Sequence, residues 1–575
     1  MEVHENILAG IAGLVCFMVY LTTMAPGLSF IDSGELAAVA STLGIAHPTG
    51  YPLFALLGRV AVLVPLGLEE ILVLNFFASI VTSLAVAFFF KCVSRIRTLV
   101  APAAPGPEKN RYLLGASFPS LAGSLVFGFS TTVWAQSVVT EVYALHLFLL
   151  MAMLSAFLKA AGDFQADTSH VPRSLFLASF LLGLGFTNHM TTILIVPAVF
   201  FLYARIWGLK REGLILLAKL STSFILALSL YLYLPVRSGV HPPLDWGHTA
   251  SLEKSFWHIS GKQYRGWIFS GFESAEKQFG YFVANLPTEF SWVAYGIAVA
   301  GVLYLFHRNR QLLYLLGIAF FTCLFYSINY DIHDIDAYFL LAYVVIGVFV
   351  VFGFEQICAL TKRNLLPWVI LAMFSLPIWH FVSNKAEVDE SDNMLVQDYT
   401  MNILNNLEPN AVVFSYQWDF FVAPSLYYQL VRQVRPDVVV IDKELFRRSW
   451  YFVHLEKKVP WFMDRSRDKV DAFLQELYKF EHDLPYNPGV IEARFVGMIN
   501  DFIDKTMMDR PVYAGPEIEL EFGGAYKRVP EGLLFRFVEP NTPIFAKKPT
   551  ILYRKSKIDN KYSRLMSVKY AQMLT

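Results

Sequence analysis

The sequence predicts an α-helical membrane protein that crosses the bilayer many times and ends in a soluble α/β domain. Hydrophobic residues occupy 55% of the 575 positions, charged residues occupy only 16%, and the chain contains 50 phenylalanines. The mean hydropathy of +0.45 is that of a membrane protein rather than a water-soluble domain. The net charge at pH 7 is zero. The bilayer is therefore the expected environment, and no basic surface for nucleic acid is present.

Apolar segments of roughly membrane-spanning length indicate about eleven transmembrane helices, since 17 to 25 apolar residues cross about 30 Å of hydrocarbon. The predicted spans are 7–24, 71–92, 113–133, 142–158, 174–188, 191–206, 214–234, 292–306, 311–328, 338–358 and 365–382. From about residue 384 charged residues become frequent. We therefore expect a transmembrane domain over 1–383 and a soluble domain over 384–575.

The soluble domain shows the pattern of a βαβ unit. Helices are predicted over 394–407 and 420–431, and strands over 411–414 and 438–441. No glycine-rich phosphate-binding fingerprint follows either strand, so nucleotide binding is not expected. Acceptor recognition and a structural lid both stay open as roles for this domain.

Basic loops alternate with loops that lack lysine and arginine, and this asymmetry orients the chain. The segments 91–111, 205–211 and 308–310 are basic, whereas 134–141 and 329–336 carry no lysine or arginine. Basic loops stay in the cytoplasm, so the other loops and the soluble domain are predicted to be extracytoplasmic. The sequence has no Asn-x-Ser/Thr sequon. This favours a bacterial or archaeal plasma membrane; in a eukaryote the same side would be the lumen of the endoplasmic reticulum.

The segment 53–67 decides on which side the first loop lies. It is apolar, but Arg59 stands near its centre and prolines flank it. Its length and interruptions favour two short interfacial helices, over 33–43 and 52–66, instead of a crossing. Asp32 then lies on the same side as the soluble domain.

Two carboxylates follow the first span, where charged groups close to hydrocarbon are costly. Asp32 and Glu35 have the spacing of a capping box, in which an acceptor begins a helix and a carboxylate three residues later reaches back. Partial burial also raises the pKa of a carboxylate and suits it to act as a base near neutral pH. Both roles stay open for the two residues.

A stiff turn follows in His47-Pro48-Thr49-Gly50-Tyr51-Pro52. Its prolines fix φ, and its glycine allows unusual backbone angles. The turn is either a plain hairpin between two surface helices or a device that places His47 and Tyr51 in a cavity beside Asp32.

Glu141 and His189 mark two further positions at membrane level. Glu141 begins a span, where the helix dipole alone favours a carboxylate. His189 lies in a turn too short to leave the membrane surface, which favours a place in a polar cavity.

The cations of the outer loops are candidates for phosphate binding. Arg237 ends a span, while Lys262 and Arg265 belong to the long loop 235–290. Arg237 also suits a side chain that snorkels to the lipid headgroups. The segment that contains Lys262 and Arg265 also suits an interfacial helix that binds headgroups. The acidic segment 331–336 looks like a metal-ligand cluster, but its successive side chains alternate in direction and an aspartate at a span start also serves as a cap. No metal site is therefore predicted.

Several motifs resemble one family in the same order along the chain. They are Asp32-Ser33-Gly34-Glu35-Leu36, His47-Pro48-Thr49-Gly50-Tyr51-Pro52-Leu53, Trp134-Ala135-Gln136, Glu141-Val142-Tyr143, Gly185-Phe186-Thr187-Asn188-His189, Tyr233-Leu234-Pro235-Val236-Arg237, Pro242-Pro243-Leu244-Asp245-Trp246-Gly247 and Ser260-Gly261-Lys262-Gln263-Tyr264-Arg265. The family is that of polytopic membrane proteins whose eukaryotic member, transmembrane protein 260, is a protein O-mannosyltransferase.

The resemblance implies a GT-C fold and an inverting glycosyltransferase. The expected reaction moves a sugar, with mannose favoured, from a polyprenyl (dolichyl-type) phosphate carrier to Ser/Thr hydroxyls of secreted or membrane proteins. It gives Asp32 the role of general base, with Glu35 as its partner or cap. The expected partners are the bilayer, the lipid-linked sugar and a protein or peptide acceptor. No cofactor is expected, and a divalent metal is not favoured. The residues predicted to bind substrate are His47, Tyr51, Glu141, His189, Arg237, Asp245, Lys262 and Arg265.

A departing phosphate calls for a cation. The candidates for this role are, in order of preference, Arg237, Arg265, Lys262 and His189.

Two alternatives to the predicted protein glycosyltransferase remain. One is a GT-C transferase with a lipid or glycan acceptor, and the other is a transporter or flippase for lipid-linked sugars. Transporters favour inverted repeats and polar residues within spans, whereas the polar residues here stand at the outer ends of the spans.

Overall fold

The structure, a computed structural model, describes residues 2–100, 108–543 and 549–574. A helical membrane domain is followed by a small α/β domain that packs against one end of the helices. The fold class predicted from the sequence is confirmed.

In the described ranges, the helical domain contains seventeen α-helices joined by loops and short 3₁₀ turns. Their bounds are α1 Glu2–Thr23, α2 Ser33–Thr42, α3 Pro52–Val62, α4 Glu70–Val100, α5 Glu108–Gly128, α6 Thr131–Ser137, α7 Val142–Ala166, α8 Arg173–Asn188, α9 Val196–Ile206, α10 Arg211–Leu228, α11 Tyr233–Gly239, α12 Leu252–Ile259, α13 Phe272–Arg308, α14 Arg310–Ile328, α15 Leu340–Leu360, α16 Leu366–Met373 and α17 Ser375–Val388.

Within the described parts of the chain, eight helical segments are long and apolar enough to cross a membrane. They are α1, α4, α7, α10 continued into α11, α13, α14, α15 with its preceding turn, and α16 continued into α17. Shorter apolar helices lie at Pro52–Val62, Ser117–Gly128 and Met190–Ile206. Each predicted span overlaps one of the helices. The three further predicted spans, 113–133, 174–188 and 191–206, overlap α5, α8 and α9.

The helix α3, which contains the ambiguous segment after the first loop, has 11 residues. At a rise of about 1.5 Å per residue it is roughly half as long as the hydrocarbon is thick. It is too short to cross, as predicted. Arg59 donates a hydrogen bond to the Ser41 carbonyl and so ties α3 to α2.

Two glycines allow α13 and α15 to approach closely. A Cβ atom at Gly353 would overlap the carbonyl oxygen of Ile297, and one at Gly301 would overlap that of Phe349. Small residues are what membrane helices use for such contacts, because lipid tails give helices no hydrophobic reason to associate. Before this contact, α13 breaks at Ser291, where φ is +53°.

Replacing Gly353 with leucine is expected to destabilise the helical domain by about 1–3 kcal/mol, because the side chain must force two packed helices apart. The measurement is the thermal unfolding temperature of the detergent-purified protein. The matched control is Gly296→Leu on α13, where a Cβ meets nothing within 4 Å. An equal unfolding temperature for Gly353→Leu and the wild type would contradict the close contact.

The α/β domain is built around a five-stranded sheet with the order β2-β1-β3-β5-β4. The strands are β1 Val412–Ser415, β2 Val439–Asp442, β3 Val512–Ala514, β4 Lys527–Glu531 and β5 Leu534–Val538. The helices are α18 Leu395–Asn406, α19 Ala423–Leu430, α20 Ser449–Lys458, α21 Pro460–Arg465, α22 Arg467–Glu481, α23 Pro488–Met507 and α24 Lys561–Leu574. β1 pairs in parallel with β2 and β3, while β5 is antiparallel to β3 and β4. The predicted βαβ unit is therefore present, with α19 as its crossover helix.

The α/β domain packs directly on the first loop of the helical domain. A Cβ at Gly34 would overlap the Ala423 carbonyl, so α2 and α19 touch through their backbones. On the far side of the loop, the Asn75 side chain donates to the carbonyls of Ala25 and Gly27. The loop that carries Asp32 is thus held between membrane helices and the α/β domain.

Candidate active site

A cavity of about 670 Å³ lies where the first loop, the ends of several membrane helices and the α/β domain meet. Five of the predicted site residues line it together: Asp32, His47, Tyr51, Glu141 and His189. They come from loops far apart in sequence, and the helix ends bring them to one place.

Asp32 stands at the start of α2 but does not cap it. Its backbone is helical, with φ −91° and ψ 0°, and its side chain makes no capping hydrogen bond. Instead, Oδ1 accepts a hydrogen bond of 2.6 Å from Nε1 of Trp418. Oδ2 lies 3.8 Å from Nε2 of His47. The carboxylate therefore faces the cavity and is oriented by residues of both domains.

Glu35 is fully buried behind the cavity wall and holds His47 in place. Its Oε1 accepts a hydrogen bond of 2.7 Å from the His47 backbone N–H. Its Oε2 lies 2.6 Å from Nδ1 of the His47 ring, and Nε2 of the ring lies 2.8 Å from the Tyr51 hydroxyl. The capping-box alternative is therefore wrong: neither carboxylate of the pair caps α2.

The charges in this group shift each other's pKa values. Burial opposes the charged form of His47, but Glu35 and then Asp32 favour it, and the pKa of His47 rises to about 10. Burial raises the pKa of Asp32, while the charge of His47 and the hydrogen bond from Trp418 partly offset this. The His47 ring is therefore positively charged at neutral pH, and the Asp32 carboxyl beside it binds a proton more readily than usual.

Further carboxyl groups line the same cavity, among them Glu141, Asp334 and Asp419. Glu141 is the N-cap residue of α7, yet its side chain makes no capping bond, and its buried Oε1 has no hydrogen-bond partner among the described residues. Burial and the nearby Asp32 raise its pKa well above the usual range. Burial and Asp32 also raise the pKa of Asp334 to about 6 and that of Asp419 to about 7. Such acceptors suit a ligand rich in hydroxyl groups.

His189 forms part of an aromatic wall. Its ring centroid lies 4.8 Å from that of Tyr143 and 5.9 Å from that of Tyr51, and its Nδ1 is 2.7 Å from the Thr191 hydroxyl. Burial, then the nearby His146 and His47, lower its pKa well below 6.5. His189 is therefore neutral at pH 7 and does not offer a cation to a phosphate.

The other three predicted cations do not line the cavity. Arg237 donates to the carbonyls of Leu43 and Thr42 and so closes the end of α2. Lys262 bonds the Glu481 carbonyl and lies 3.7 Å above the Trp257 ring. Arg265 is exposed on the same loop.

The predicted residue Asp245 is buried behind the cavity wall. Its Oδ2 lies 3.0 Å from both the Ser238 hydroxyl and Nδ1 of His248. It does not line the cavity, but its neighbour Trp246 does.

Sequence reasoning missed the residues that the α/β domain adds to the cavity. Trp418 and Asp419 follow β1, while Arg447 and Arg448 follow β2. A usable signal existed, because the carboxyl ends of parallel strands are where α/β domains place their ligands. Arg447 is neutralised by Glu444 and Glu492. Arg448 reaches the Gln263 carbonyl and is the better placed of the two to receive an anion.

The acidic segment 331–336 does not form a metal cluster. Asp331 pairs with Lys277 at 3.2 Å and Asp336 with Lys561 at 2.7 Å. Asp331 and Asp334 line the cavity, whereas Asp336 does not. Among the described residues, two other groups bring metal-type ligand atoms within 4.8 Å of one another. They are Asp32 with Glu35 and His47, and His241 with Asp245 and His248.

Comparisons with known proteins show what the chain is similar to. A sequence profile for the protein O-mannosyl-transferase TMEM260 N-terminal domain matches residues 32–209. A TMEM260 protein O-mannosyl-transferase of Mus musculus is 27% identical over 478 residues, which are 77% of this chain and 63% of that protein. Its counterpart in Dictyostelium discoideum is 23% identical over 583 residues, covering 91% of this chain and 65% of that protein. The chain thus spans slightly less than two thirds of the length of these curated relatives.

The fold also has a counterpart among solved structures. The crystal structure of ArnT from Cupriavidus metallidurans in the apo state aligns with a TM-score of 0.55, over 92% of this chain and 97% of ArnT. The two sequences are 12% identical, so the likeness concerns the fold. By its sequence this chain is similar to the TMEM260 protein O-mannosyl-transferases, and its fold is similar to that of ArnT.

Proposed function

We propose that this protein is an inverting glycosyltransferase that moves a sugar, with mannose favoured, from a polyprenyl-phosphate carrier to Ser/Thr hydroxyls of proteins. The observation that carries the proposal is the Asp32 carboxylate, held by Trp418 and His47 at the wall of a large acidic cavity. The names of the two curated relatives support protein O-mannosylation.

In the proposed reaction, Asp32 takes the proton of the acceptor hydroxyl as its oxygen attacks the anomeric carbon of the sugar. A hydroxyl is a poor nucleophile at neutral pH, so it needs such a base. The new C–O bond forms as the bond from the anomeric carbon to the carrier phosphate breaks. The phosphate leaves with the electron pair, and attack from the opposite face inverts the anomeric centre.

His47 and Glu35 act as positioning residues in this scheme. The Glu35 carboxylate holds the imidazolium through the backbone and the ring. The positive ring lowers the pKa of Asp32 and so opposes the effect of burial. Glu35 itself is shielded from the cavity and does not reach a substrate, so its effect passes through His47.

Arg448 is the cation that we assign to the departing phosphate. It lies on the cavity wall and bonds a carbonyl rather than a carboxylate. An arginine offers several N–H donors in one plane, which suits phosphate oxygens as they gain charge. The α/β domain then has a direct role, because it supplies both this cation and the Trp418 donor to the base.

The proposal is tested by incubating the purified protein with polyprenyl-phosphate mannose and a peptide rich in serine and threonine. A peptide heavier by one hexose, detected by mass spectrometry, is the expected result. Parallel reactions contain GDP-mannose as donor, a lipid as acceptor, or liposomes that report movement of the donor between leaflets. Transfer to the lipid alone would favour the alternative acceptor class. Donor movement without any transfer would overturn the proposal in favour of a flippase.

Replacing Trp418 with phenylalanine is expected to shift the acid limb of the pH profile of kcat upward by about one unit. The indole N–H stabilises the ionised form of Asp32 and so lowers its pKa. Without it the pKa rises further, and the base form appears only at higher pH. The control is Trp267→Phe, since Trp267 lines the same cavity and stacks on Tyr264. An unchanged acid limb in Trp418→Phe would contradict the role of this hydrogen bond.

A further inference from the structure

A second group of polar side chains lies in the loop between α11 and α12, behind the cavity wall. The segment His241-Pro242-Pro243-Leu244-Asp245-Trp246-Gly247-His248 brings two imidazoles and one carboxylate together. One ligand atom from each of His241, Asp245 and His248 lies within 4.8 Å of the others. The two imidazole rings are nearly parallel, with centroids 6.0 Å apart and an angle of 15° between them.

The loop is fixed to the first loop of the helical domain. The Ile45 N–H donates to the Leu244 carbonyl at 2.8 Å, and the Trp246 N–H donates to the Ile45 carbonyl at 3.3 Å. Both histidines have left-handed backbone angles, with φ +54° at His241 and +46° at His248. Non-glycine residues adopt this conformation at a cost, so the surrounding structure must hold them there.

One oxygen of Asp245 lacks a partner. The residue is only 6% exposed, and its Oδ2 is used by Ser238 and His248. Its Oδ1 is buried and accepts no hydrogen bond from any residue in the described ranges. A buried carboxylate oxygen without a donor or a cation is costly. The side chain is therefore poised for a ligand with positive charge.

A cavity of about 430 Å³ opens beside this group, with room for water to complete a coordination sphere. In it, Nζ of Lys457 lies 2.7 Å from Nδ1 of His241. The ammonium group only donates, so Nδ1 of His241 presents its lone pair. This is the form of histidine that binds a metal. Lys457 is exposed and free to turn into solvent when a metal takes its place.

The lysines at this second cavity would also suit an anionic ligand. Lys457 and Lys458 both line it. An anion at the histidines, however, would face the unpaired oxygen of Asp245 in a buried place, where like charges repel strongly. A cation satisfies that oxygen. The arrangement therefore favours a metal ion over a phosphate.

We infer that His241, Asp245 and His248 bind a divalent transition-metal ion of the zinc class. Two imidazoles and one carboxylate are a donor set that zinc accepts, with water in the open position. The ion fastens the loop that carries Trp246 into the wall of the active-site cavity. There the Trp246 ring centroid lies 6.0 Å from that of His47 and 5.4 Å from that of Trp418. The ion thus stabilises the junction of the two domains at a distance from the reacting atoms.

The test starts from chelator-treated, detergent-purified protein to which zinc is returned. We expect about one tight zinc ion per wild-type chain by elemental analysis after gel filtration, and a higher unfolding temperature with zinc than without. The double variant His241→Ala/His248→Ala is expected to bind zinc more than about 100-fold more weakly and to show no thermal shift. Asp245→Asn, which keeps the shape of the side chain, replaces the double variant if the latter does not fold.

The control His47→Ala removes a ligand from the other candidate group and is expected to keep the tight zinc site. Loss of zinc binding in His47→Ala, but not in the double variant, would assign the ion to the active site and overturn the inference. Equal zinc affinity in the wild type and the double variant, or failure of the wild type to bind zinc, would overturn it as well. So would a thermal shift produced by inorganic phosphate instead of zinc.

Discussion

Asp32→Asn is expected to lower kcat for sugar transfer by about 10²- to 10⁴-fold, the usual contribution of a general base. An asparagine side chain has nearly the same shape, and its oxygen still accepts the hydrogen bond from Trp418. Its amide, however, does not take the proton of the attacking hydroxyl. The loss therefore falls on the chemical step, and the KM for the donor changes little.

The measurement compares kcat and KM of the two proteins with the donor and acceptor that the wild type uses. Asp336→Asn serves as the control, because Asp336 pairs with Lys561 and does not line the cavity. We expect the control to keep most of its activity. If Asp32→Asn transfers sugar as fast as the wild type, Asp32 is not the base and the proposed mechanism fails.

Arg448→Gln is expected to lower kcat/KM for the lipid-linked donor by about 10²- to 10³-fold, as losing one preorganised donor to a developing charge does elsewhere. The neighbouring Arg447 is bound to Glu444 and Glu492 and does not replace it. Arg448→Lys keeps the charge but loses the planar pair of donors, so it is expected to recover part of the activity.

The informative control for this prediction is Arg237→Gln. The sequence favours Arg237 as the phosphate-binding cation, whereas the structure shows it closing the end of α2. We expect Arg237→Gln to lower the unfolding temperature and to leave the KM for the donor nearly unchanged. If the KM for the donor rises in Arg237→Gln and not in Arg448→Gln, the phosphate-binding cation is Arg237.

The membrane-spanning helices and the βαβ unit follow from the sequence because the length of an apolar run is a property of one segment of the chain. A run of apolar residues predicts a crossing from its own composition, as it does for α1, α4 and α15. The same property shows that α3, with 11 residues, is too short to cross. The βαβ unit follows in the same way from short apolar segments separated by an amphipathic helix.

The grouping of the site residues was also predictable in part. Asp32, Glu141 and His189 all stand at the ends of apolar segments, on the side where basic residues are scarce. Polar groups at that level gain by sharing a cavity, and the structure brings them to one. What each of them bonds was not predictable. Glu35 has the spacing of a helix cap, yet it lies beneath His47 and binds its ring.

The sequence by itself determined that this is a multi-spanning helical protein with an α/β domain, and that Asp32 and several polar residues lie at one end of its helices. These conclusions rest on local composition. Only the tertiary structure decided that Trp418, 386 residues away in sequence, donates to Asp32, that Arg448 rather than Arg237 faces the cavity, and that Asp245 joins two histidines. The physical reason is that a hydrogen bond or an ion pair depends on which atoms packing brings within about 3 Å, and that distance is not encoded in any single segment.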